Sequence, residues 1–287
     1  MEWSAHPIGR TVVRVDMRAD KVANWEQWFL LSSDRHHDNA HTDHKAELRH
    51  LEEAKQRGAG VIDAGDLHCA MQGKFDPRQD RSALREEYQG GDYLDALVRE
   101  AAEFYGPYSD NLIVFGRGNH EQSILRRHET DLTDRTVQAI KTTRPDTPLV
   151  AGGYGGWVVF RVLRHKCSHN VRLKYFHGAG GGGPVTRGVI QTNRMAVYLP
   201  DADLVLTGHT HDSWIVPIAR ERLSARGVVS HDEQLHIRAG TYKDEYGDGH
   251  SGWHVETMKP PKPIGAMWLR FYFRDKDTLA WQTMRTT

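Results

Sequence analysis

Five short apolar runs, each breaking off at residues able to bind a cation, constrain this chain more than any other feature. They end in "SSDRHHD", "DAGDLHC", "GRGNHEQ", "YFHGAGGGG" and "TGHTHD". A short apolar run bounded by turn residues reads as a buried strand. In the last of the five, Leu204-Val205-Leu206 is such a strand and Gly208 lets the chain turn sharply. On an extended segment His209 and His211 would point the same way and converge on one object. An isolated HxH is equally well a loop with two exposed histidines. The co-occurrence of Asp, Asn or His at five strand ends favours a shared site.

The coarse order is strand and helix alternating, followed by a β-rich end. "TVVRVDMR", "EQWFLLSS" and "GVIDAGD" read as strands, and "HTDHKAELRHLEEAKQRG" as a helix with Ala46, Leu48, Leu51 and Ala54 on its apolar face. A further helix is expected over "GDYLDALVREAAEFYG", one helical stretch from Gln122 to Thr142, and another from Val185 to Val197. "GGWVVFRVLRH" and "NVRLKYFHG" read as adjacent strands, and a closing hairpin turns about Asp275-Lys276-Asp277. The fold class is α/β, one domain on two packed sheets.

Composition narrows the function. The 287 residues are 38% hydrophobic and 26% charged, as expected of a globular enzyme with a real core. Lys+Arg and Asp+Glu both count 38, so no overall basic field marks a nucleic-acid coat protein, though a local basic groove stays open. Cys69 and Cys167 make neither a disulfide framework nor a zinc finger. "MEWSAHPIGR" lacks an apolar core of signal-peptide length and no segment approaches a membrane span, so a cytoplasmic location and no membrane partner are expected. The 18 histidines are the anomaly. Imidazole, carboxylate and amide together suit two borderline divalent ions and not Ca²⁺. Ions about 3.5–4 Å apart need a bridge, which a carboxylate supplies.

These motifs resemble the calcineurin-like metallophosphoesterase superfamily, whose signature is DxH, GD, GNH followed by Asp or Glu, H, and GHxH. All are present in order from Asp34 to His211, nearly two-thirds of the chain. The resemblance implies a two-sheet β-sandwich flanked by helices, with the site at the strand ends. The element order is read as one domain over 1–287, and the position of the polar, irregular stretch and helix around 68–108 is read as an insertion that would cover the substrate. The resemblance also implies that Asp34, His36, Asp66 and His211 hold one metal, and that Asp66 as bridge, Asn119, His177 and His209 hold the other. His120 corresponds to the histidine that meets the phosphate and protonates or stabilises the leaving oxygen. The expected cofactors are two divalent ions, with Mn²⁺ favoured over Fe²⁺, Zn²⁺ or Ni²⁺.

Departures within the superfamily are informative. "RGNHE" also occurs in Ser/Thr protein phosphatases, but those follow GD with Asp-Arg-Gly and lack the double-histidine GHxH. "GDLHCAMQGK" and the closing "GTYKDEYG…PPKPIGAMWL" look like phage and prophage metallophosphoesterases of undefined substrate, which would act in a host cytoplasm. The expected activity is phosphodiester hydrolysis by metal-bound hydroxide, including a DNA or RNA nuclease. A phosphomonoesterase or small cyclic-nucleotide hydrolase is the rival enzyme, and a non-catalytic metal-binding scaffold or virion-associated protein the rival of another class. Oligomeric state is not legible.

Other residues carry weaker expectations. Arg117 and Arg187 are candidate phosphate contacts, with an exposed loop arginine as the equal alternative. His37 reads as solvent-facing or supporting, and Asp38 could orient a ligand imidazole. His68 and Cys69 read as structural. The run Gly178–Gly183 lacks the Lys-Ser/Thr of a P-loop. Trp25, Trp28, Trp253 and Trp268 read as core or sheet aromatics.

Overall fold

The computed structural model describes every residue except Met1, Val22, 72–83, Gly182, Pro184, Ser251 and Gly252, and of Trp253 only the backbone. Part of the expected 68–108 insertion, one glycine of the Gly178–Gly183 run and the Trp253 ring therefore lie outside the described residues. No helix among those described is long and apolar enough to cross a membrane.

Two mixed sheets make the frame. The first contains β1 (Trp3–Gly9), β2 (Val12–Arg18), β7 (Gly155–Arg164), β8 (Cys167–Phe176), β9 (Leu204–Thr207), β11 (Val229–Ala239) and β10 (Ser213–Leu223), in that spatial order. The second runs β13 (Leu279–Arg285), β12 (Met267–Phe273), β3 (Glu26–Ser32), β4 (Gly60–Asp63), β5 (Leu112–Phe115) and β6 (Val150–Ala151). Strands β3 to β6 are mutually parallel, and β8 is parallel to β9. Within each of these runs the strand exits therefore share one rim.

Side-chain alternation explains the layering. In β3, Phe29 and Leu31 face the other sheet while Leu30 joins the cluster under the helices. Likewise Leu204 and Leu206 of β9 point between the sheets, and Val205 packs outward on Met195 and Leu199. Phe29, Phe160 and Phe271 meet across the interlayer, with ring centroids 4.7, 5.0 and 5.9 Å apart. Helices α1 (His44–Gln56), α2 (Tyr93–Tyr105) and α4 (Leu132–Thr143) cover the outer face of the second sheet, and α5 (Val189–Tyr198) covers part of the first.

Several local expectations need correction. The stretch from Gln122 to Thr142 is two helices, α3 (Asn119–His128) and α4. Glu129 turns left-handed (φ 55°), and the Asp131 carboxylate caps α4 by accepting from the Asp134 amide. Helix α5 starts at Val189 rather than Val185, because Gly188 (φ 82°) ends a preceding turn. Strand β1 escapes an apolar-run criterion because Ser4, His6 and Pro7 interrupt Trp3, Ala5 and Ile8, and an edge strand tolerates the proline. The hairpin at Asp275 is as expected: its carboxylate accepts from the amides of Asp277 and Thr278, 2.9 Å each.

One buried cation anchors the loop after β3. Arg35 is 0% exposed; it donates to Asp63 (2.9 Å), Glu47 of α1 (3.1 Å) and Ser32 Oγ (3.0 Å). Burial alone would raise the Glu47 carboxyl, but His37 and Arg35 hold it well below its ordinary range. Removing the guanidinium strands two carboxylates in the interior. Arg35→Met is therefore expected to lower unfolding free energy by about 3–5 kcal/mol, measured by urea denaturation; a loss under ~1 kcal/mol would show that the pairs contribute little.

Candidate metal centre

The signature residues leave their strands on one rim and are held there by backbone hydrogen bonds. Asp34 N donates to Gly65 O (2.9 Å) and His36 N to Asp66 O (3.0 Å), locking the β3 and β4 exits together. Gly208 N donates to His177 O (2.9 Å), joining the exits of β8 and β9. The 241–242 segment closes over the rim: Tyr242 N and Thr241 Oγ1 donate to Asp34 O at 3.0 and 2.8 Å.

Asp34, His36, Asp66, His209 and His211 all adopt left-handed backbone, with φ of 53°, 47°, 57°, 75° and 58°. Each such residue costs of order 1–3 kcal/mol, and such residues cluster where geometry serves a site. The extended geometry expected of His209 and His211 is thus replaced by two left-handed turns, which direct the imidazoles to different groups. Two glycines make the close approach feasible. A Cβ on Gly118 would overlap the Asp66 carboxylate, and one on Gly208 would overlap Ser33 Oγ and Asp34 Oδ2.

The donors fall into two groups. In one, His36 Nε2 and His211 Nε2 lie 3.1 Å apart, with Asp34 Oδ1 at 3.9 and 3.4 Å from them. In the other, His177 Nε2 is 3.1 Å from Asp66 Oδ2 and 3.1 Å from Asn119 Oδ1, which is 2.7 Å from His209 Nδ1. Every residue named as a ligand from the motifs is therefore in one of two adjoining clusters. Each group takes donors from both sheets.

Both groups fit a divalent ion. Metal–ligand bonds of about 2.1 Å put neighbouring donors roughly 3.0–3.4 Å apart; the separations of 3.1 and 3.4 Å lie in that range, with Asn119–His209 shorter at 2.7 Å and Asp34–His36 longer at 3.9 Å. Asp34 Oδ1 and His36 Nδ1 are buried and hydrogen-bonded to nothing among the described residues. Burial opposes a charge on His177, yet Asp66 draws its pKa up to about 9. Burial would likewise raise Asp66, but His177 and His120 hold it well below its ordinary range. A cation can take the place of the proton held between them.

His120 is placed differently. Its Nδ1 donates to the Cys69 carbonyl, and its Nε2 lies 3.8 Å from Asp66 Oδ2, beside the His36 ring (centroids 4.9 Å). Glu121, which the motif reading left without a role, is fully buried. It accepts from the amides of Gly118 (2.9 Å), Asp66 (3.3 Å) and His68 (2.8 Å), tying two of the ligand loops together. Burial and the neighbouring Asp66 push its carboxyl up to about 8.

The remaining expectations divide. His37 is buried, not solvent-facing, between Glu47 (2.8 Å) and Glu100 (3.0 Å). Among the described residues Asp38 bonds to no ligand imidazole; it accepts from the amides of Cys69 and Ala70. His68 bonds to Thr136 Oγ1 (3.0 Å), and burial pushes the Cys69 thiol up to about 12, so both are structural. Trp268 is buried edge-on to Trp28, and Trp25 packs on Phe273. Arg117 is paired with Asp131 at the start of α4. Arg187 is exposed; its amide donates to Gly183 O (2.8 Å) and its carbonyl accepts from Trp214 Nε1 (3.1 Å). Neither arginine is brought to the donors by a described contact.

Other residues border the centre without a motif to announce them. Glu245 and His254 lie beside His211, and Glu245 is paired with Lys243 at 2.5 Å. A cleft of about 450 Å³ opens next to Asn119, lined also by Gln122, Ser123, Arg126, Arg127 and Tyr154. The signal for it is helical spacing counted from Asn119, which the motif ends before reaching.

No family model matches the chain, and no curated protein matches it. Solved structures do resemble it. One is a conserved uncharacterized protein of Streptococcus pneumoniae TIGR4, a predicted phosphoesterase, at 12% identity, covering 91% of this chain and 90% of that one with a TM-score of 0.33. Another is Vps29 of Entamoeba histolytica complexed with Zn²⁺, at 9% identity, 90% and 99% coverage and TM-score 0.35. A metallophosphoesterase of Sphaerobacter thermophilus shows 17% identity, 91% and 89% coverage and TM-score 0.34.

The two-group geometry predicts metal stoichiometry. Elemental analysis after Mn²⁺ loading and dialysis should find two ions per chain. His211→Ala and His177→Ala should each retain about one, and Asp66→Asn should retain fewer than either. Equal retention by all three variants would show that the groups do not act as separate sites.

Proposed function

We propose that this chain is a dinuclear metal-dependent phosphoesterase of the calcineurin-like kind, acting on phosphodiester bonds. The observation that carries this reading is the pair of acid–imidazole groups side by side, with His120 Nε2 at their edge, 3.8 Å from Asp66 Oδ2. Two bound divalent ions would supply a water of lowered pKa and neutralise charge on the transferring phosphoryl group.

The chain's own residues do the rest. Asp66 and Asn119 belong to the same group as His177 and His209, and Asp66 Oδ1 also accepts from the His120 amide at 2.9 Å. Because Nδ1–H of His120 is committed to the Cys69 carbonyl, Nε2 holds the exchangeable proton. The Asp66 carboxylate lies 3.8 Å from that nitrogen. As the bond from phosphorus to the departing oxygen breaks, Nε2–H can be given to that oxygen. An alkoxide, such as the sugar oxygen of a nucleic acid, needs that proton, whereas a nitrophenolate does not. Cys69, buried and held as a thiol, is not a nucleophile.

Activity toward bis-p-nitrophenyl phosphate should exceed that toward p-nitrophenyl phosphate, vanish on chelation, and return more fully with Mn²⁺ than with Mg²⁺. His120→Ala should keep both ions and lose roughly 10²–10⁴ in rate. The loss should be larger on an oligonucleotide than on the nitrophenyl diester. Equal losses on both substrates, or a lost ion, would remove His120 from the general-acid role. Preference for the monoester would favour a phosphomonoesterase.

A further inference from the structure

The cleft beside Asn119 has a charge arrangement that the two metal groups do not require. Helix α3 opens with Asn119, and Gln122, Ser123, Arg126 and Arg127 follow at i+3, i+4, i+7 and i+8. That spacing places them on one face, and Glu121 and Ile124 on the buried side. At about 1.5 Å of rise per residue, Arg126 begins ~10 Å along the helix from Asn119. A polar stripe thus runs from a proposed metal ligand to two guanidinium groups.

The two arginines differ from those of the neighbouring helices α2 and α4, where Arg99 pairs with Asp92 and Arg135 with Asp95. Arg126 and Arg127 are exposed and pair with no carboxylate among the described residues. A cation in the last turn of a helix is favoured by the dipole. That accounts for positive charge at this end of α3, and not for a cleft linking it to Asn119. The opposite wall is Tyr154, whose hydroxyl donates to Gly178 O (2.8 Å) and whose ring meets His177 edge-on (5.5 Å).

We propose that this cleft is a second anion subsite, in which Arg126 and Arg127 take a further phosphate of the same substrate. This rests on the phosphodiesterase reading and deepens it: the preferred substrate is a diester carrying another phosphate beyond the one cleaved. Arg forks suit phosphate oxygens, and two unpaired forks on one helix face can hold such a group without displacing an existing ion pair. A strand of nucleic acid and a nucleoside polyphosphate both carry this chemistry.

The test is the double variant Arg126→Gln/Arg127→Gln, whose exposed positions leave folding intact, checked by an unchanged Tm. Binding of fluorescent oligothymidylate and of a labelled nucleoside triphosphate is measured by anisotropy in EDTA, across a salt series. At least one should bind about tenfold more weakly to the variant. For oligothymidylate the log–log salt slope should fall by roughly 1.4, two contacts at ~0.7 each. Arg126→Lys/Arg127→Lys should retain that slope. With Mn²⁺, the Gln variant should raise KM for the same ligand about tenfold at nearly constant kcat, and leave bis-p-nitrophenyl phosphate unchanged. Response of oligothymidylate alone identifies a strand as the source, and of the triphosphate alone a polyphosphate. Wild-type binding and salt slope for both ligands, or an equal loss on the small diester, overturns the subsite. A protein that hydrolyses no phosphoester but binds through these arginines refutes the phosphodiesterase reading and leaves the subsite standing.

Discussion

The Arg35 guanidinium is the interaction on which the rim depends. It sits in sequence between Asp34 and His36 and in space between Asp63 and Glu47, flanked by the rings of Tyr105 and Tyr242. Asp63 also accepts from Gly65 N (2.9 Å), and Gly65 O takes the Asp34 amide. A single buried charge therefore registers the exit of β3 against the exit of β4. Asp34, His36 and Asp66 inherit their positions from it. A guanidinium suits this task because its donors leave in fixed directions and cannot be deprotonated away.

Much of the candidate site was legible because the chain announces it twice. Runs such as Leu204–Leu206 are apolar enough to mark a strand, and the polar residues directly after them mark the strand's exit. The two-sheet α/β class followed from the same pattern. What escaped was information that sequence does not carry locally. His37 and Arg35 look like surface residues, and only the convergence of Glu47, Asp63 and Glu100 makes their burial tolerable. The left-handed turns at His209 and His211 could not be inferred, since positive φ is uncommon for any residue but glycine and tertiary packing imposes it here. Strand β1 was hidden by its interrupted apolar pattern, and the break at Glu129 by the helical propensity on either side of it.

Glu121 and Arg126 show two different limits of motif reading. Glu121 belongs to the GNHE motif, yet its work is invisible without the three amides it collects from separate loops. Arg126 lies one turn and more past the motif's end, where periodicity from Asn119 would have been needed to see it. Both lie on α3, a helix that starts inside the proposed centre. Its first residue faces the donors, its third faces the interior, and its last turn reaches the cleft.

The division of donors between the two sheets has a mechanical consequence. Asp34 and His36 leave one sheet and His211 the other; Asp66 and Asn119 leave the first and His177 and His209 the second. An ion held by either group would be a rivet through the sandwich, joining layers that are otherwise held only by apolar packing and loop contacts at this rim. Such an ion binds the closed sandwich and not the parted one, so its affinity adds directly to the work of sliding one sheet over the other. Shear between the layers and loss of the ion would then be a single event.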